Sequence, residues 1–313
     1  RRSAYHRLRR HWQFKNELFL FEDIHHLIIY GIHIYGGEGR VGFTQASQLL
    51  HPDTVEFSLI HSGEGNEPGL QHPQGGWDLR PHRSRLITVD ESVLASWARL
   101  FDEPGTAPVE ASILLPVNTA DLDALLALAD QTERLADHDY RWSSGWHEKG
   151  AKADGQIAWD TRVPSSLADV VLQGPHISVA NSFNKQPNEG CRNNSDYSEW
   201  DLEALPARVV PRTNYQRSCD LESYEAAADA WDGRPSRESW RHLHREMTQP
   251  GLERSVKGAI LPPGPMHIHA CLTYGFDTGV DLARWSGLMA SLPFDYLFKV
   301  SGASHVAEHQ LAR

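Results

Sequence analysis

Sulfur-containing residues are scarce in this 313-residue sequence, which has three cysteines and three methionines. Cys191, Cys219 and Cys271 are widely spaced, and no Cys-x-x-Cys pair occurs. This spacing excludes the disulfide framework that stabilises small secreted domains, and it excludes a cysteine-based zinc knuckle. We therefore expect a protein of the reducing cytoplasm.

Long hydrophobic runs are also missing. The longest, residues 27–35, is interrupted by Gly31 and His33, whereas a bilayer span requires about 20 apolar residues. The basic first residues lack the apolar segment of a signal peptide, and the sequence begins with Arg1 rather than methionine. We expect no membrane partner, and we interpret Arg1 as a cut end.

Positive charge is in deficit, since 30 Lys and Arg residues stand against 41 Asp and Glu residues, a net charge of -11. A protein that coats nucleic acid needs a broad basic surface, so that class is excluded. Basic residues are nevertheless concentrated locally, because residues 1–15 contain Arg and Lys but no acidic residue. The length of the chain predicts two unequal domains.

Several catalytic motifs are absent: Gly-x-Ser-x-Gly, Gly-Lys-Ser/Thr and His-Glu-x-x-His do not occur. Their absence leaves no anchor for a serine hydrolase of the nucleophile-elbow type, for a P-loop or for a zinc protease helix. Gly36, Gly37 and Gly39 follow a predicted strand without the lysine of a phosphate-binding loop. We interpret these glycines as the end of that strand.

Histidine is abundant, with 18 residues. His267 and His269 have the spacing that places both rings on one face of a strand, as a metal site requires. No third ligand follows at a typical distance, so packed or solvated histidines are favoured. A metal-dependent hydrolase is kept as an alternative, and its other candidate ligands are His25, His26, His33, His242 and His244.

Tryptophan is abundant too, with ten residues, which suits the stacking of bases or sugars. Trp97 lies on an apolar helical face and is predicted to be a core residue. The others with a polar or loop context keep a carbohydrate-binding module as a second alternative, although packing is favoured for them as well: Trp77, Trp142, Trp146 and Trp200.

Hydrophobic periodicity predicts a mixed α/β fold. Asp90 is a suitable N-cap for a helix that carries Leu94 and Trp97 on one face. Residues 27–35 are predicted to form a buried or half-buried strand. The remaining predictions are strands over 54–61, 176–180 and 256–261, a hairpin around Asp154-Gly155, and helices over 119–136, 221–249 with a break at Gly233 to Pro235, 280–291 and 294–300.

Residues 170–215 are rich in Asn, Pro, Gly and aromatic residues and are predicted to be mostly loop, where recognition residues are commonly found. Arg212, Asn214 and Tyr215 lie at the end of this region. Arginine can read guanine, asparagine can read adenine, and tyrosine can donate to phosphate. We predict these three residues as a DNA-binding group, with Asn181 and Lys185 as a second group on the same surface.

Four segments carry a resemblance to a known family. In order, they are RLRRHWQFKNELFLFEDIHHLIIYGIHIYGG, VLQGPHISVANSFNKQPNEGCRNNSDYSEWDLEALPARVVPRTNYQR, AILPPGPMHIHACLTYGF and SLPFDYLFKVSGASHV. Together they resemble the adenine-specific (N6) DNA methyltransferases of restriction-modification and phage-defence systems. The first segment resembles a passage late in the methylase domain, and the others resemble the target-recognition region that follows it.

The resemblance implies an α/β fold in two parts. Residues 1–60 correspond to the terminal strands of a class I methyltransferase sheet, and residues 61–313 to a mixed α/β target-recognition domain. The implied partner is double-stranded DNA. Methylation of adenine requires the base to leave the stack, and the resemblance places an aromatic residue, here Phe21, against the flipped base.

The family's catalytic tetrapeptide, Asp/Asn/Ser-Pro-Pro-aromatic, does not occur in this sequence. The resemblance places that tetrapeptide upstream of Arg1, together with the domain that binds S-adenosylmethionine. We therefore assign no catalytic, cofactor-binding or metal-binding residue to this chain. We expect the chain by itself to be inactive.

Overall fold

The computed structural model describes residues 2–131, 133–248 and 251–312, which divide into two compact units. Unit 1 comprises the residues up to 134 together with 299–302, and unit 2 comprises residues 135–298 and 303–312. Each unit combines helices with a sheet that has both parallel and antiparallel neighbours. This arrangement confirms the predicted α/β class, and the predicted boundary at residue 60 lies inside unit 1.

Unit 1 is built on one four-stranded sheet. Its elements are α1 (Arg2–Tyr5), β1 (Leu8–Lys15), β2 (Ile29–Tyr35), β3 (Gly42–Leu49), α2 (Pro52–Ser58), β4 (Ile87–Asp90), α3 (Glu91–Phe101) and α4 (Thr119–Leu128). The strand order is β2-β1-β3-β4, with β1 antiparallel to β2 and parallel to β3. Trp12, Phe14 and Leu49 of this sheet are buried together with Val55 of α2.

Helix α3 begins where the sequence predicted. The Asp90 carboxylate accepts a hydrogen bond of 3.0 Å from the main-chain N–H of Val93, and Leu94 and Trp97 lie on the buried face. Such a cap stabilises a helix by about 1 kcal/mol. The helix predicted over 119–136 is shorter in the structure and ends at Leu128.

The strand predicted over residues 54–61 is wrong, because helix α2 occupies most of this segment. Pro52 lies in its first turn, where a missing N–H costs nothing. The His51 side chain accepts a hydrogen bond of 3.2 Å from the Asp53 N–H. Thr54 and Val55 are buried on one face of the helix, and this burial outweighs the β propensity of their branched side chains.

Strand β2 falls within the predicted segment 27–35, but it is neither buried nor half-buried. It is the outer strand of its sheet, and most of its side chains are exposed. Ile32 exposes 50% and Tyr35 exposes 55% of its surface. Apolar composition predicted the strand correctly and its position in the sheet incorrectly.

Unit 2 is built on two four-stranded sheets. Its elements are β5 (Tyr140–Ser143), α5 (Glu148–Ala153), β6 (Ile157–Arg162), β7 (Val171–Leu172), β8 (Lys185–Pro187), β9 (Tyr197–Glu199), β10 (Thr213–Arg217), α6 (Leu221–Ala227), β11 (Ala230–Trp231), β12 (Arg234–Pro235), β13 (Arg241–Arg245), β14 (Gly258–Leu261), β15 (Met266–His267), β16 (Cys271–Phe276), α7 (Gly279–Met289), α8 (Leu292–Ser301) and α9 (Glu308–Leu311). The last three residues of α8 are counted with unit 1. The sheet orders are β15-β7-β10-β6 and β14-β13-β16-β5, and β8–β9 and β11–β12 form separate pairs.

Several apolar clusters pack against the sheets of unit 2, and one of them contains residues of both sheets, Leu172 of β7 and Leu243 of β13. Tyr274 of β16 is buried with Trp285 of α7 and Phe298 of α8. Val171 of β7 and Tyr215 of β10 are buried in a second cluster. Across the described residues, no helix combines the length and the apolar character needed to cross a bilayer.

Several sequence predictions for unit 2 are corrected by its sheets. The hairpin around Asp154-Gly155 is wrong, because β5 and β6 lie in different sheets and α5 separates them. The helix over 221–249 ends at Ala227, and its last part is strand β13. Residues 176–180 lie in a 3-10 turn and a loop rather than a strand. The strand over 256–261 and the helices over 280–291 and 294–300 are confirmed as β14, α7 and α8.

Candidate functional site

The loop-rich region of unit 2 is held at both ends by neighbouring strands. We call residues 173–217 the polar loop cluster. It begins directly after β7 and ends with β10, and these strands pair antiparallel with Tyr215 opposite Val171. The first and last residues of the cluster are therefore adjacent in space although about 40 residues separate them in the chain.

A buried network of polar side chains ties these two ends together. The Asn214 amide donates to the side-chain oxygen of Gln173 (3.1 Å) and to the Tyr197 hydroxyl (3.0 Å). The Tyr197 hydroxyl donates to the same Gln173 oxygen (2.7 Å), and the Thr161 hydroxyl donates to the side-chain oxygen of Asn214 (3.0 Å). Because buried polar groups are costly unless paired, this network holds the cluster in one arrangement.

His176 adds a second connection between the ends of the cluster. Its Nδ1 atom accepts from the Gln173 N–H (3.0 Å), and its Nε2–H donates to the main-chain carbonyl of Arg212 (3.1 Å) in the tautomer that satisfies both contacts. Burial, with a smaller contribution from the nearby Arg245 guanidinium, lowers the pKa of His176 to about 4. The ring is therefore neutral at pH 7.

Three of the predicted DNA-binding residues lie at the partly exposed rim of the cluster. The Arg212 guanidinium donates to the main-chain carbonyl of Pro187 (3.1 Å). Lys185 forms an ion pair of 3.2 Å with the exposed Glu199 across the β8–β9 hairpin. The Asn181 side chain accepts from the Phe183 N–H (2.8 Å).

Two predicted residues lie inside the cluster instead. Asn214 and Tyr215 are each 0% exposed, and the Tyr215 hydroxyl donates to the Glu148 carboxylate. Burial, reinforced by this hydrogen bond, raises the pKa of Tyr215. Burial alone would raise the pKa of Glu148, but hydrogen bonds from Tyr215 and Lys152 outweigh it and lower that pKa. In this conformation both predicted side chains have their polar atoms bound by other protein groups.

Phe21, the sixth predicted residue, belongs to unit 1. Its ring exposes 52% of its surface and lies edge-on to Tyr30 of β2, with 5.0 Å between the ring centroids. The segment that carries it is anchored by Asn16, whose side-chain amide donates to the carbonyls of Phe21 (2.9 Å) and Ile24 (2.7 Å). The structure therefore presents this aromatic ring to solvent.

The sequence analysis missed two cationic residues beside the cluster, Arg245 and Lys257. The Arg245 N–H donates to the Lys257 carbonyl (2.9 Å), and the Arg245 Nε–H donates to the Ile177 carbonyl (2.8 Å). Arg245 was predicted to lie on a helix, which hid its pairing with the strand that follows Lys257. A usable signal was present, since Lys257 is the sole charged residue in the segment SVKGAILPPGP.

Three of the seven metal-ligand candidates are buried and contact other protein groups. His242, His244 and His267 are buried, and their rings contact the Ser286 hydroxyl, the Val306 carbonyl and the Thr273 hydroxyl, respectively. Burial lowers the pKa of His244 to about 4 and that of His267 to about 3. Within residues 2–131, 133–248 and 251–312, no group of three His, Cys, Asp or Glu side chains is placed to hold a metal ion.

The tryptophans considered for stacking lie in different environments. Trp146 is buried, and its indole N–H donates to the Tyr224 hydroxyl (2.8 Å). Trp142 exposes 45% of its surface on strand β5. Trp200 is partly buried and packs edge-on against Phe183 at 6.1 Å between centroids, and Trp77 is partly buried in unit 1.

One glycine spacing also went unrecognised in the sequence. Gly37, Gly39 and Gly42 have the spacing of a dinucleotide-binding loop after a strand. The chain then continues into strand β3 rather than into a helix. Because that motif binds phosphate at a helix N-terminus, these glycines lack the structural context of such a site.

Comparison of the sequence with known families and with curated proteins identifies no relative: no family model matches the chain, and no curated protein matches it.

Proposed function

We propose that this chain is the DNA-recognition portion of an S-adenosylmethionine-dependent adenine-N6 DNA methyltransferase of a restriction-modification or phage-defence system. The observation that carries the proposal is the connection between sequence blocks that resemble this family. His176 of the GPHI block is hydrogen-bonded to Arg212 of the PRTNY block. Blocks with a shared role in recognition are expected to lie together.

The third block, SLPFDY, contributes to the same part of unit 2. The Asp295 carboxylate accepts hydrogen bonds of 2.7 Å from the main-chain N–H groups of Ser255 and Val256. Two residues further along the chain, the Gly258 carbonyl accepts a hydrogen bond from Ala180 of the polar loop cluster (2.8 Å). The SLPFDY block is thus connected to the polar loop cluster through the segment of residues 255–258.

Exposure separates the residues that are proposed to contact DNA from those that hold the cluster together. Arg212, Lys185 and Asn181 lie at the rim of the cluster and are the proposed DNA contacts. Asn214 and Tyr215 hold the cluster from inside, which keeps the rim in a fixed geometry, as a recognition site requires. The net charge of -11 is compatible with this role, because a local basic rim suffices for a specific reader.

The chemistry of methyl transfer is assigned to a part of the enzyme upstream of this sequence. In this proposal the upstream domain binds S-adenosylmethionine, and strands β1 and β2 are terminal strands of its class I sheet. Flipping adenine out of the duplex costs a few kcal/mol, which contacts to flanking DNA offset. The exposed Phe21 ring is the proposed contact to the flipped base.

Binding of fluorescent duplex DNA at low salt tests the proposal. Arg212→Ala is compared with Arg284→Ala, because Arg284 is an exposed arginine on α7 outside the cluster. If Arg212 contacts a base edge, its loss reduces discrimination at one base pair by about 1 to 3 kcal/mol. If it contacts phosphate, its loss weakens the binding of all duplexes to the same extent. Failure of the chain to bind duplex DNA, or equal losses in both variants, would contradict the proposal.

A further inference from the structure

A turn at residues 178–181 lies beside a group of cations in unit 2. Ser178 and Asn181 bridge each other, and Ala180 between them has a left-handed backbone with φ 53°. A residue with a Cβ atom adopts this conformation only when its surroundings impose it. Here the hydrogen bond from the Ala180 N–H to the Gly258 carbonyl (2.8 Å) fixes the turn against strand β14.

The cation nearest to this contact in the chain is Lys257. It is partly buried, and no described residue supplies an acceptor or a carboxylate for its ammonium group. A partly buried ammonium without a partner is unfavourable unless an anion or a water molecule accepts its hydrogen bonds. This side chain therefore provides unused positive charge.

Two more cations belong to segments that are hydrogen-bonded near Lys257. The Arg245 N–H donates to the Lys257 carbonyl (2.9 Å), and Lys185 follows Asn184, whose N–H donates to the His176 carbonyl (2.9 Å) beside Ile177. The Arg245 guanidinium is fixed by the main-chain carbonyls of Ile177 and Pro175 rather than by a carboxylate. Lys185 pairs with Glu199, which is 75% exposed, so solvent weakens that pair. The result is a positive group in which one charge has no partner and another has a weak one.

The charges that act on Lys257 agree with this geometry. Burial, followed by the positive charges of Arg245 and Lys185, lowers the pKa of the Lys257 ammonium, and the Asp295 carboxylate opposes these effects. Asp295 is already engaged by the Ser255 and Val256 N–H groups. Its charge attracts the Lys257 ammonium, but this effect is smaller than those of burial and of the two cations.

The arrangement favours a phosphate group as the ligand. The Arg245 guanidinium already donates hydrogen bonds to main-chain carbonyl groups. It therefore contributes mainly its positive charge to a ligand, rather than the two parallel hydrogen bonds that bind a planar carboxylate. Lys257 and Lys185 are compact point charges, which suit single phosphate oxygens. A phosphodiester of DNA presents such oxygens at the surface of the duplex.

We propose that Lys257, Lys185 and Arg245 bind one backbone phosphate of DNA beside the turn at residues 178–181. The assignment of this phosphate to DNA rests on the proposed function. It extends the rim of Arg212, Lys185 and Asn181 with a contact that is independent of base sequence, because phosphate contacts position a protein on the duplex without reading bases.

The test compares Lys257→Gln with Lys149→Gln, since Lys149 is an exposed lysine on α5 outside the group. Binding of labelled duplexes of different sequence is measured from about 50 to about 200 mM salt. Loss of one phosphate contact is expected to weaken all duplexes alike and to reduce the slope of log K against log salt by about 0.9. Lys257→Arg is expected to keep most of the slope, and Lys149→Gln all of it.

Two further measurements separate this inference from the proposed function. If the chain binds DNA and Lys257→Gln leaves the slope unchanged while melting normally, the phosphate contact is refuted and the proposed function stands. If the chain does not bind DNA, tripolyphosphate is titrated against the amide NMR signals of Ala180 and Lys257. Shifts that Lys257→Gln abolishes would establish a phosphate site and refute DNA as its source; their absence would refute both.

Discussion

The Nε2 atom of His176 lies 3.1 Å from the main-chain carbonyl oxygen of Arg212, 36 residues away in the chain. The contact joins two sequence blocks that neither periodicity nor capping signals connect. It also makes the position of Arg212 dependent on a buried histidine that must stay neutral. Proton binding to this histidine and the geometry of the proposed DNA rim are therefore coupled.

This coupling predicts a pH dependence of stability. The pKa of His176 is about 4 in the folded chain and about 6.5 in an unfolded one. Because the folded-state value is depressed, the unfolded chain takes up the proton first as the pH falls. The contribution to stability is complete above about pH 6.5 and is progressively lost toward about pH 4.

Urea unfolding of the wild type and His176→Gln measures this effect. Between about pH 7 and about pH 4.5 the wild type is expected to lose about 2 to 3 kcal/mol more stability than the variant does. Other buried histidines titrate in both proteins, so the difference isolates His176. Parallel pH profiles for the two proteins would contradict its neutral buried state.

Asn214 and Arg212 are expected to respond differently to substitution. Asn214→Ala removes the donor to Gln173 and Tyr197 and the acceptor for Thr161, and it should destabilise unit 2 by about 1 to 3 kcal/mol. Arg212→Ala removes a partly exposed side chain and should leave the melting temperature nearly unchanged. Thermal melting checks both. A stable Asn214→Ala variant would show that the network does not hold the cluster.

The exposed edge strand β2 predicts self-association of the chain. Residues 24–37 contain no Lys, Arg, Asp or Glu, and Ile32 and Ile34 are 50% and 44% exposed. Long apolar edges without charge are templates for strand pairing. Light scattering of the wild type is expected to rise with concentration, and Ile32→Lys is expected to suppress the rise.

A matched control for that experiment is Ile60→Lys. Ile60 is 82% exposed but lies outside the strands, so a lysine at this position adds the same charge without altering the sheet edge. Both variants are expected to melt like the wild type, because neither side chain is buried. Equal suppression by the two lysines would attribute the effect to net charge rather than to the edge.

The chain alone is expected to bind no S-adenosylmethionine. The catalytic tetrapeptide of adenine-N6 DNA methyltransferases does not occur in the sequence, and under the proposed function a different domain binds the cofactor. Isothermal titration with S-adenosylmethionine should give no binding heat, and incubation with duplex DNA and labelled cofactor should transfer no methyl group. Saturable heat at micromolar cofactor would overturn the division of the enzyme on which the proposed function depends.

Local signals were sufficient where an element is stabilised by its own residues. Asp90 predicted the start of α3, because a capping side chain and the N–H it satisfies are three residues apart. The helices near 280 and 294 were predicted for the same reason, from spacing within a few turns. Such interactions are formed by neighbours in the chain, so the sequence displays them directly.

Local signals failed where distant strands decide the outcome. The strand predicted over 54–61 is helix α2, because Val55 is buried against the sheet of unit 1. The helix predicted through residue 249 contains β13, because this strand pairs with β14 and β16 on its two sides. Propensity is a weak preference that burial and pairing outweigh.

By itself, the sequence determined the α/β class, the capped helix α3 and the chemical types available in the polar loop cluster. Tertiary structure alone decided which of those side chains face solvent. Arg212 is partly exposed and Asn214 is buried although they are two residues apart, because Arg212 precedes strand β10 whereas Asn214 lies within it, where its side chain is hydrogen-bonded to Gln173 and Tyr197. It also placed Lys257 beside Arg245, since a hydrogen bond between their main chains, rather than spacing along the chain, brings these two residues together.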